Sequence, residues 1–227
     1  MSIHRFKDRR DAGHLLARHL SKEIAGPDLV VTALPRGGVE IGFEIANYLS
    51  VALTILIVRK LGSPMQPELA IGAIASGGHT YLNQELIARL GIEKEEIAAV
   101  IAKETLELKR REARYSIGGR SQSWQDKKVL IVDDGIATGA TMQVAIDAIR
   151  AEKPKFLGVA VPVATVSTVE RMTRQVDRCF VLQTPDEFSA IGEFYESFPP
   201  VSDDEVVSLL QEARARLHHD NKHGNKT

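Results

Sequence analysis

VLIVDDGIATGATM, residues 129–142, is the stretch that decides the fold of this protein. Val129–Val132 is an apolar, β-branched run, which is typical of a central parallel strand covered on both faces. Asp133 and Asp134 follow it directly, and Thr138–Thr141 is a turn of small residues that opens a helix. Because ligands of open α/β sheets bind at the carboxyl ends of the strands, this unit predicts a binding site at that edge.

The turn has the properties of a phosphate site. The first N–H groups of a helix are unpaired and lie at its positive end, where anions bind. Gly139 lets the backbone approach an anion closely, and Thr138 and Thr141 can add hydroxyl donors. A phosphate would repel two neighbouring carboxylates, so Asp133 and Asp134 are predicted to accept hydrogen bonds from sugar hydroxyls or to hold Mg²⁺. The alternative, an acidic helix cap, needs only one acid.

These residues resemble the phosphoribosyl-pyrophosphate (PRPP) signature of the type I phosphoribosyltransferases, and the arrangement resembles an uncharacterised bacterial subgroup of that family. The resemblance implies an α/β fold with a doubly wound parallel sheet of about five strands. It implies an enzyme that transfers the 5-phosphoribosyl group of PRPP to a nitrogenous base or similar nucleophile and releases pyrophosphate. Asp133 and Asp134 would be catalytic and would hold Mg²⁺ with PRPP, directly or through water. The implied substrate-binding residues are Ala137, Thr138, Gly139, Ala140 and Thr141.

A second strand end carries the sequence Leu34-Pro35-Arg36-Gly37-Gly38. It resembles the family's pyrophosphate loop, most closely that of the xanthine-guanine type, and the resemblance implies a cis peptide between Pro35 and Arg36. The N–H groups of Gly37 and Gly38 would bind substrate together with the guanidinium of Arg36, a catalytic residue in this interpretation. The alternative is a simple turn between a strand and a helix, with a surface arginine.

Arg59 and Lys60 follow the apolar run Leu53–Val58, a further predicted strand of the sheet, and resemble the Arg-Lys pair that follows the third strand in orotate and adenine phosphoribosyltransferases. The resemblance implies that Arg59 binds substrate and that Lys60 is catalytic, since an anionic leaving group needs cations. The alternative is a solvated positive strand end. Leu61–Thr80 would be the mobile loop that closes over PRPP, with a hairpin between residues 70–75 and 79–82. This segment lacks the basic residue of the orotate type.

The acceptor of the phosphoribosyl group is not evident from the sequence. Members that use 6-oxopurines carry an acid where this chain has Ala137, so guanine and hypoxanthine lose support. Phe188, Phe194 and Tyr195 are candidates for stacking on a heterocycle, and the alternative is that they pack the core of their own segment. A second hypothesis for the whole chain is a regulatory protein that binds PRPP without turnover.

Hydrophobic periodicity predicts alternating strands and helices, and therefore one domain over residues 1–217. The core would cover residues 29–182, a hood would come from residues 1–28 and 183–217, and residues 218–227 would be a disordered tail. Further predicted strands are 29–34, 156–163 and 179–182, and predicted helices include 8–22, 93–115 and 167–175. The first helix is predicted to pack through Ala12, Leu15, Leu16, His19 and Leu20. Gly118 and Gly119 are predicted to stop the long helix.

Composition excludes several classes of function. The 227 residues carry a formal net charge of −1, which gives no basic footprint for nucleic acid or anionic lipid. Cys179, predicted to be a buried strand residue, is the only cysteine, so an intramolecular disulfide and a thiolate metal cluster are excluded. Without a leader or an apolar span, the protein is expected in the cytoplasm.

Two charged segments favour ordinary interpretations over special ones. Lys109-Arg110-Arg111 is interleaved with glutamates, which indicates a solvated or intersubunit helix face rather than an RNA patch. His218, His219 and His223 could bind a metal, but they lie on a polar tail, which favours ordinary solvated side chains. The expected partners are PRPP and a small acceptor, with no nucleic acid and no membrane, and a homodimer is expected.

Overall fold

The computed structural model describes residues 5–24, 26–115 and 124–223. The strands are β1 (Leu29–Ala33), β2 (Ala52–Ile55), β3 (Val58–Gly62), β4 (Ala70–Ala75), β5 (Thr80–Leu82), β6 (Lys128–Val132), β7 (Phe156–Val163) and β8 (Arg178–Gln183). The helices are α1 (Arg9–Leu20), α2 (Gly37–Leu49), α3 (Gln84–Leu90), α4 (Lys94–Tyr115), α5 (Ala140–Ala151), α6 (Val166–Thr173) and α7 (Asp203–His223), and a 3₁₀ turn covers Ile191–Phe194.

The main sheet has five strands in the order β2-β1-β6-β7-β8, and all neighbouring strands are parallel. In its centre Ala33 on β1 lies opposite Val132 on β6, which lies opposite Ala160 on β7. The carboxyl ends of β1 and β6 are therefore level with each other, while β7 continues beyond them to Val163. The predicted doubly wound sheet of about five parallel strands is confirmed.

Strand β6 is covered on both faces, as its apolar run predicts. Leu130 and Val132 pack into the core cluster that also holds residues of α1, α2 and α7. Val129 and Ile131 pack into a second cluster with residues of α5. All four side chains are 0% exposed, so successive residues of this strand supply two separate cores.

The prediction of one strand over Leu53–Val58 is wrong. Strand β2 ends at Ile55, and the buried residues Leu56 and Ile57 separate it from β3. The N–H of Leu56 still donates to the carbonyl of Ala33 on β1, but the carbonyl of Ile57 accepts from the N–H of Ser76 after β4, so the backbone pairing changes from one sheet to the other between them. Strand β3 then leaves the main sheet and pairs antiparallel with β4, which pairs with β5. The predicted hairpin is confirmed, but the segment predicted as a mobile loop contains most of this ordered three-stranded sheet.

Helix α1 packs against α2 through a different stripe from the one predicted. Ala12, Leu16 and Leu20 are buried, but Leu15 is 36% exposed and His19 is exposed as well. Gly13 faces α2 instead, and a Cβ there would lie 2.9 Å from Glu44 Cβ. The small residue lets the two helices approach closely, a geometric demand that hydrophobicity alone does not reveal.

The remaining elements agree with the sequence to within a few residues. The long helix α4 ends at Tyr115, and the predicted stop at Gly118 and Gly119 lies outside the described residues. Cys179 is on β8 and is only partly buried, which corrects the prediction of a buried residue. Helix α7 continues to His223, past residue 217, after which the disordered tail is predicted to begin. Within the described ranges, no helix combines the length and apolar character needed to cross a membrane.

The segments before β1 and after β8 meet beside the main sheet. The N–H of Phe6 donates to the carbonyl of Phe194 at 2.8 Å, and the N–H of Glu196 donates back to Phe6 at 2.8 Å. The Phe6 and Tyr195 rings are 5.5 Å apart between centroids. We call residues 5–8 and 184–202 the hood, a smaller set than the hood predicted from the sequence, and the Tyr195 hydroxyl, which donates to the carbonyl of Asp134 at 2.7 Å, places it next to the carboxyl end of β6.

Candidate active site

The turn after β1 and the acids after β6 lie side by side. The N–H of Leu34 donates to the carbonyl of Val132 at 2.9 Å, which joins the two strand ends. A Cβ on Gly38 would lie 2.7 Å from that same carbonyl, and a Cβ on Gly37 would overlap the carboxylate of Asp134. Only glycine fits at these two positions. The Pro35–Arg36 peptide is cis, as the sequence predicts.

Asp133 and Asp134 are partly buried at this edge. Burial raises the pKa of Asp133 well above its usual range, and the neighbouring charge of Asp134 raises it further. The N–H of Asp134 donates to Asp133 Oδ1 at 2.9 Å and opposes that shift. Burial also raises the pKa of Asp134, while the guanidinium of Arg9, whose Nε donates to Oδ2 at 2.8 Å, lowers it. The two carboxylates are therefore balanced by one guanidinium, that of Arg9.

This acid pair fits a magnesium ion that is shared with a substrate. Among the described residues no group of three or more His, Cys, Asp or Glu side chains is arranged to hold a metal ion. Mg²⁺ usually keeps waters and is bound by one or two carboxylates together with substrate phosphates. Two partly buried carboxylates, only one of which bonds to Arg9, could supply hard oxygen ligands for such a site.

The predicted phosphate turn is held from behind by helix α6. Gly139 has φ +78°, and α5 begins at the next residue. The Thr168 hydroxyl donates to the carbonyl of Ala137 at 3.2 Å, and the Arg171 guanidinium donates to the carbonyl of Thr138 at 2.6 Å. In a trans peptide the N–H lies opposite the C=O. The N–H groups of Thr138 and Gly139 therefore point away from α6, toward the open side of the turn.

Thr168 and Arg171 are site residues that the sequence did not reveal. Thr168 is fixed in turn by Thr165, the N-cap of α6, whose hydroxyl donates to the Thr168 hydroxyl at 2.9 Å. Periodicity predicts helix α6 but gives no sign of which loop its first turns support. The only sequence signal is the pair of threonines at the helix start, which is also an ordinary capping pattern.

The three predicted basic residues do not converge. Arg36 lies at the rim of the shared edge, exposed, with Nη1 3.9 Å from Asp203 Oδ1 at the start of α7. Arg59 and Lys60 lie within β3, on the separate sheet. Arg59 Nε donates to Glu104 Oε2 at 2.9 Å, and Lys60 Nζ donates to Glu68 Oε2 at 3.1 Å. The prediction that they end a strand of the main sheet is wrong, because β2 stops before them.

The aromatic residues of the hood are mainly packing residues. Phe194 and Tyr195 are 1% and 4% exposed, so the alternative interpretation is correct for both of them. The Tyr195 hydroxyl donates to the carbonyl of Asp134 at 2.7 Å and thereby fixes the acid pair to the hood. Phe188 is partly buried and meets Phe194 edge-on, with centroids 5.1 Å apart. Stacking on a heterocycle stays a prediction for Phe188 alone.

Arg9 is a further residue that the sequence analysis missed. It begins α1 and is 5% exposed although it is charged. A signal was available, because Arg9 shares a helical face with Leu16 and Leu20, and a charge on an apolar stripe needs a buried partner. That partner is Asp134, more than a hundred residues away in the chain.

Comparison with known proteins agrees with this geometry. The family model described as "Phosphoribosyl transferase domain" matches residues 3–197. MT0597 and Rv0571c from two strains of Mycobacterium tuberculosis, which carry provisional phosphoribosyl transferase names, are each 41% identical over 208 residues. These matches cover 92% of this chain and 47% of each relative, so the chain spans about half the length of these curated relatives.

Solved structures show the same likeness. The crystal structure of TT1426 from Thermus thermophilus has a TM-score of 0.78 and 36% identity, over 92% of this chain and 98% of that one. AQ2163 from Aquifex aeolicus has a TM-score of 0.50 at 13% identity, over 81% and 78% of the two chains, and shares the fold alone. With its acid pair, its two glycine turns and a family model that matches most of its length, the chain belongs to the phosphoribosyl transferase domain family.

Proposed function

We propose that this protein is a Mg²⁺-dependent phosphoribosyltransferase, which transfers the 5-phosphoribosyl group of PRPP to a nitrogen nucleophile and releases pyrophosphate. The observation that carries the proposal is the packing of the Gly37–Gly38 turn directly against Asp134 and Asp133. This contact sets two carboxylates between two turns that can bind anions. The order matches PRPP, in which the ribose lies between the 5-phosphate and the pyrophosphate.

Each part of the substrate has a partner in this arrangement. The 5-phosphate would bind the N–H groups of the turn at Thr138–Thr141, which α6 holds from behind. The ribose hydroxyls would donate to Asp133 and Asp134. The pyrophosphate would bind at Gly37 and Gly38, with Arg36 at the rim.

In the reaction the bond between ribose C1 and the pyrophosphate oxygen breaks, and the electron pair leaves with pyrophosphate. The lone pair of the acceptor nitrogen forms the new bond to C1, and a proton on that nitrogen is released. Mg²⁺ held by the acid pair and the substrate would neutralise part of the charge on the leaving group. The chain's own residues orient the ribose and stabilise the departing anion with N–H groups and Arg36, so no protein nucleophile is needed.

The acceptor in this proposal is a nitrogenous base other than a 6-oxopurine, because Ala137 stands where those family members have an acid. A panel assay measures pyrophosphate release from PRPP with Mg²⁺ and a series of bases. Release with at least one base, abolished in Asp134→Asn, is the expected result. Wild-type protein that neither binds PRPP in calorimetry nor releases pyrophosphate would refute the proposal.

A second candidate function is a regulatory protein that binds PRPP without turnover. The observation that favours it is the position of Arg59 and Lys60, which pair with Glu104 and Glu68. Fewer positively charged side chains would then be near the pyrophosphate leaving group to stabilise its charge. The same assays decide between the two candidates. Tight Mg²⁺-dependent PRPP binding without pyrophosphate release for any base identifies the regulatory protein, and release identifies the enzyme.

A further inference from the structure

The buried guanidinium of Arg9 connects four parts of the site. Its Nε donates to Asp134 Oδ2 at 2.8 Å, and its Nη1 donates to the carbonyl of Pro199 at 2.7 Å. Nη1 also lies 3.6 Å from Glu40 Oε2 on α2, and the guanidinium stacks 3.7 Å from the ring centre of Phe198. One side chain thus links α1, the acid pair, α2 and the hood.

The pyrophosphate turn also packs against this side chain. A Cβ on Gly37 would lie 3.0 Å from Arg9 Nε. The turn, the arginine and the carboxylate of Asp134 therefore lie against one another.

A role in the site explains why an arginine, and not an apolar residue, lies on this apolar helix face. Burying a charge is costly, and well-packed apolar residues often serve stability equally well. A guanidinium offers something that an apolar side chain does not, namely donors fixed in one plane. In Arg9 these donors hold a carboxylate oxygen and a hood carbonyl at the same time, so they fix the position of Asp134 relative to the hood.

We propose that Arg9 is a positioning residue that holds the Asp134 carboxylate in place for the ribose hydroxyls of the substrate. The inference rests on the proposed function, because it assumes that Asp134 binds ribose. It predicts a selective effect. Ligands that contain ribose will need Arg9, and ligands that are anions alone will not.

The test compares Arg9→Met and Arg9→Lys with the matched control Arg18→Gln, an exposed arginine in the last turn of the same helix. Calorimetric titrations use PRPP and ribose 5-phosphate with Mg²⁺, and inorganic pyrophosphate without Mg²⁺. We expect Arg9→Met to weaken PRPP and ribose 5-phosphate by about 10- to 100-fold, as for other residues that orient a ligand-binding group. Pyrophosphate affinity stays within about twofold, Arg9→Lys is intermediate, and Arg18→Gln matches the wild type.

A double-mutant cycle separates positioning from a general structural role. In an Asp134→Asn background, Arg9→Met is expected to cause little further loss of PRPP affinity, because the group that it positions is already changed. The inference would be overturned if the losses of PRPP affinity caused by Arg9→Met and Asp134→Asn added fully in the double mutant. It would also be overturned if Arg9→Met weakened all three ligands equally. If Arg9→Met does not fold, Arg9→Lys keeps the charge and carries the same comparison. Wild-type protein that does not bind PRPP rejects the proposed function and this inference together, and unselective losses reject this inference alone.

Discussion

At the scale of single residues, Gly37 shows most directly that the two halves of the site share space. A Cβ at this position would overlap the Asp134 carboxylate, so Gly37→Ala must displace either the turn or the acid. We expect PRPP affinity to fall more than about tenfold and the melting temperature to drop, as for other overpacked sites.

A matched control for this substitution is Gly78→Ala. Gly78 has φ +84° and open space around a Cβ, in the turn between β4 and β5. Gly78→Ala should lower the free energy of unfolding by about 1–2 kcal/mol, because alanine disfavours a positive φ, and should leave the site intact. Calorimetry and thermal melts of both variants give the comparison. PRPP affinity that falls equally in both variants would show that destabilisation, not the site, is responsible.

A different result is expected for a substitution of Gly139, which lies in the turn proposed to bind the 5-phosphate. It has φ +78°, and a Cβ there would lie 2.6 Å from Arg171 Nη2. Gly139→Val strains the backbone and pushes away the arginine that holds the turn. PRPP and ribose 5-phosphate should weaken by similar factors, since both carry the 5-phosphate. Titration of the two ligands checks this, and normal ribose 5-phosphate binding would place the 5-phosphate elsewhere.

At the scale of elements, helix α6 is a support for the phosphate turn and not only a cover for the sheet. The Thr168 hydroxyl donates to the carbonyl of Ala137. Thr168→Val removes this bond at nearly constant volume. The expected cost is about 1 kcal/mol, or roughly fivefold in affinity for ribose 5-phosphate.

Thr173→Val is the matched control for that prediction. The Thr173 hydroxyl donates at 2.8 Å to the carbonyl of Val169 within the same helix, away from the turn. Loss of this hydrogen bond in Thr173→Val should leave the affinity for ribose 5-phosphate unchanged. Equal effects of the two substitutions, measured by calorimetry, would mean that α6 does not act through the turn.

At the scale of the whole molecule, the buried acid pair makes stability depend on pH. Burial and the charge of Asp134 raise the pKa of Asp133 in the folded protein. Between the ordinary aspartate pKa and this raised value, the folded protein binds more protons than the unfolded chain. The free energy of unfolding should therefore fall as pH rises through that window.

Asp133→Asn removes this dependence together with the ligand site. Without Mg²⁺, we expect the variant to melt higher than the wild type at about pH 8, by roughly 2–4 °C for each kcal/mol gained. The difference should shrink toward about pH 4, where the wild-type carboxyl is protonated. Thermal melts across this pH range provide the measurement. A variant that is less stable than the wild type at every pH would show that Asp133 is held mainly by bonds that asparagine cannot replace.

The sequence by itself determined four of the five strands of the main sheet, the acid pair and the glycine turn that follows it, but it misplaced the end of β2. These features are local, because each strand is an apolar run and the turn follows the acids within a few residues. Alternation of strands and helices then allows few topologies, and parallel strands bring their carboxyl ends to one edge. For this reason the meeting of Gly37 and Gly38 with Asp133 and Asp134 could be predicted.

The tertiary structure alone decided which side chains complete that edge. Arg9 and Asp134 are far apart in the chain, and no local pattern selects one partner for a buried arginine. Arg59 and Lys60 lie outside the main sheet because the backbone pairing changes from β1 to the β4–β5 hairpin between Leu56 and Ile57. Which side chains pair across long distances in the sequence depends on how the apolar faces of helices and strands pack together. A single sequence shows which residues form such a face, but it does not show which other face packs against it.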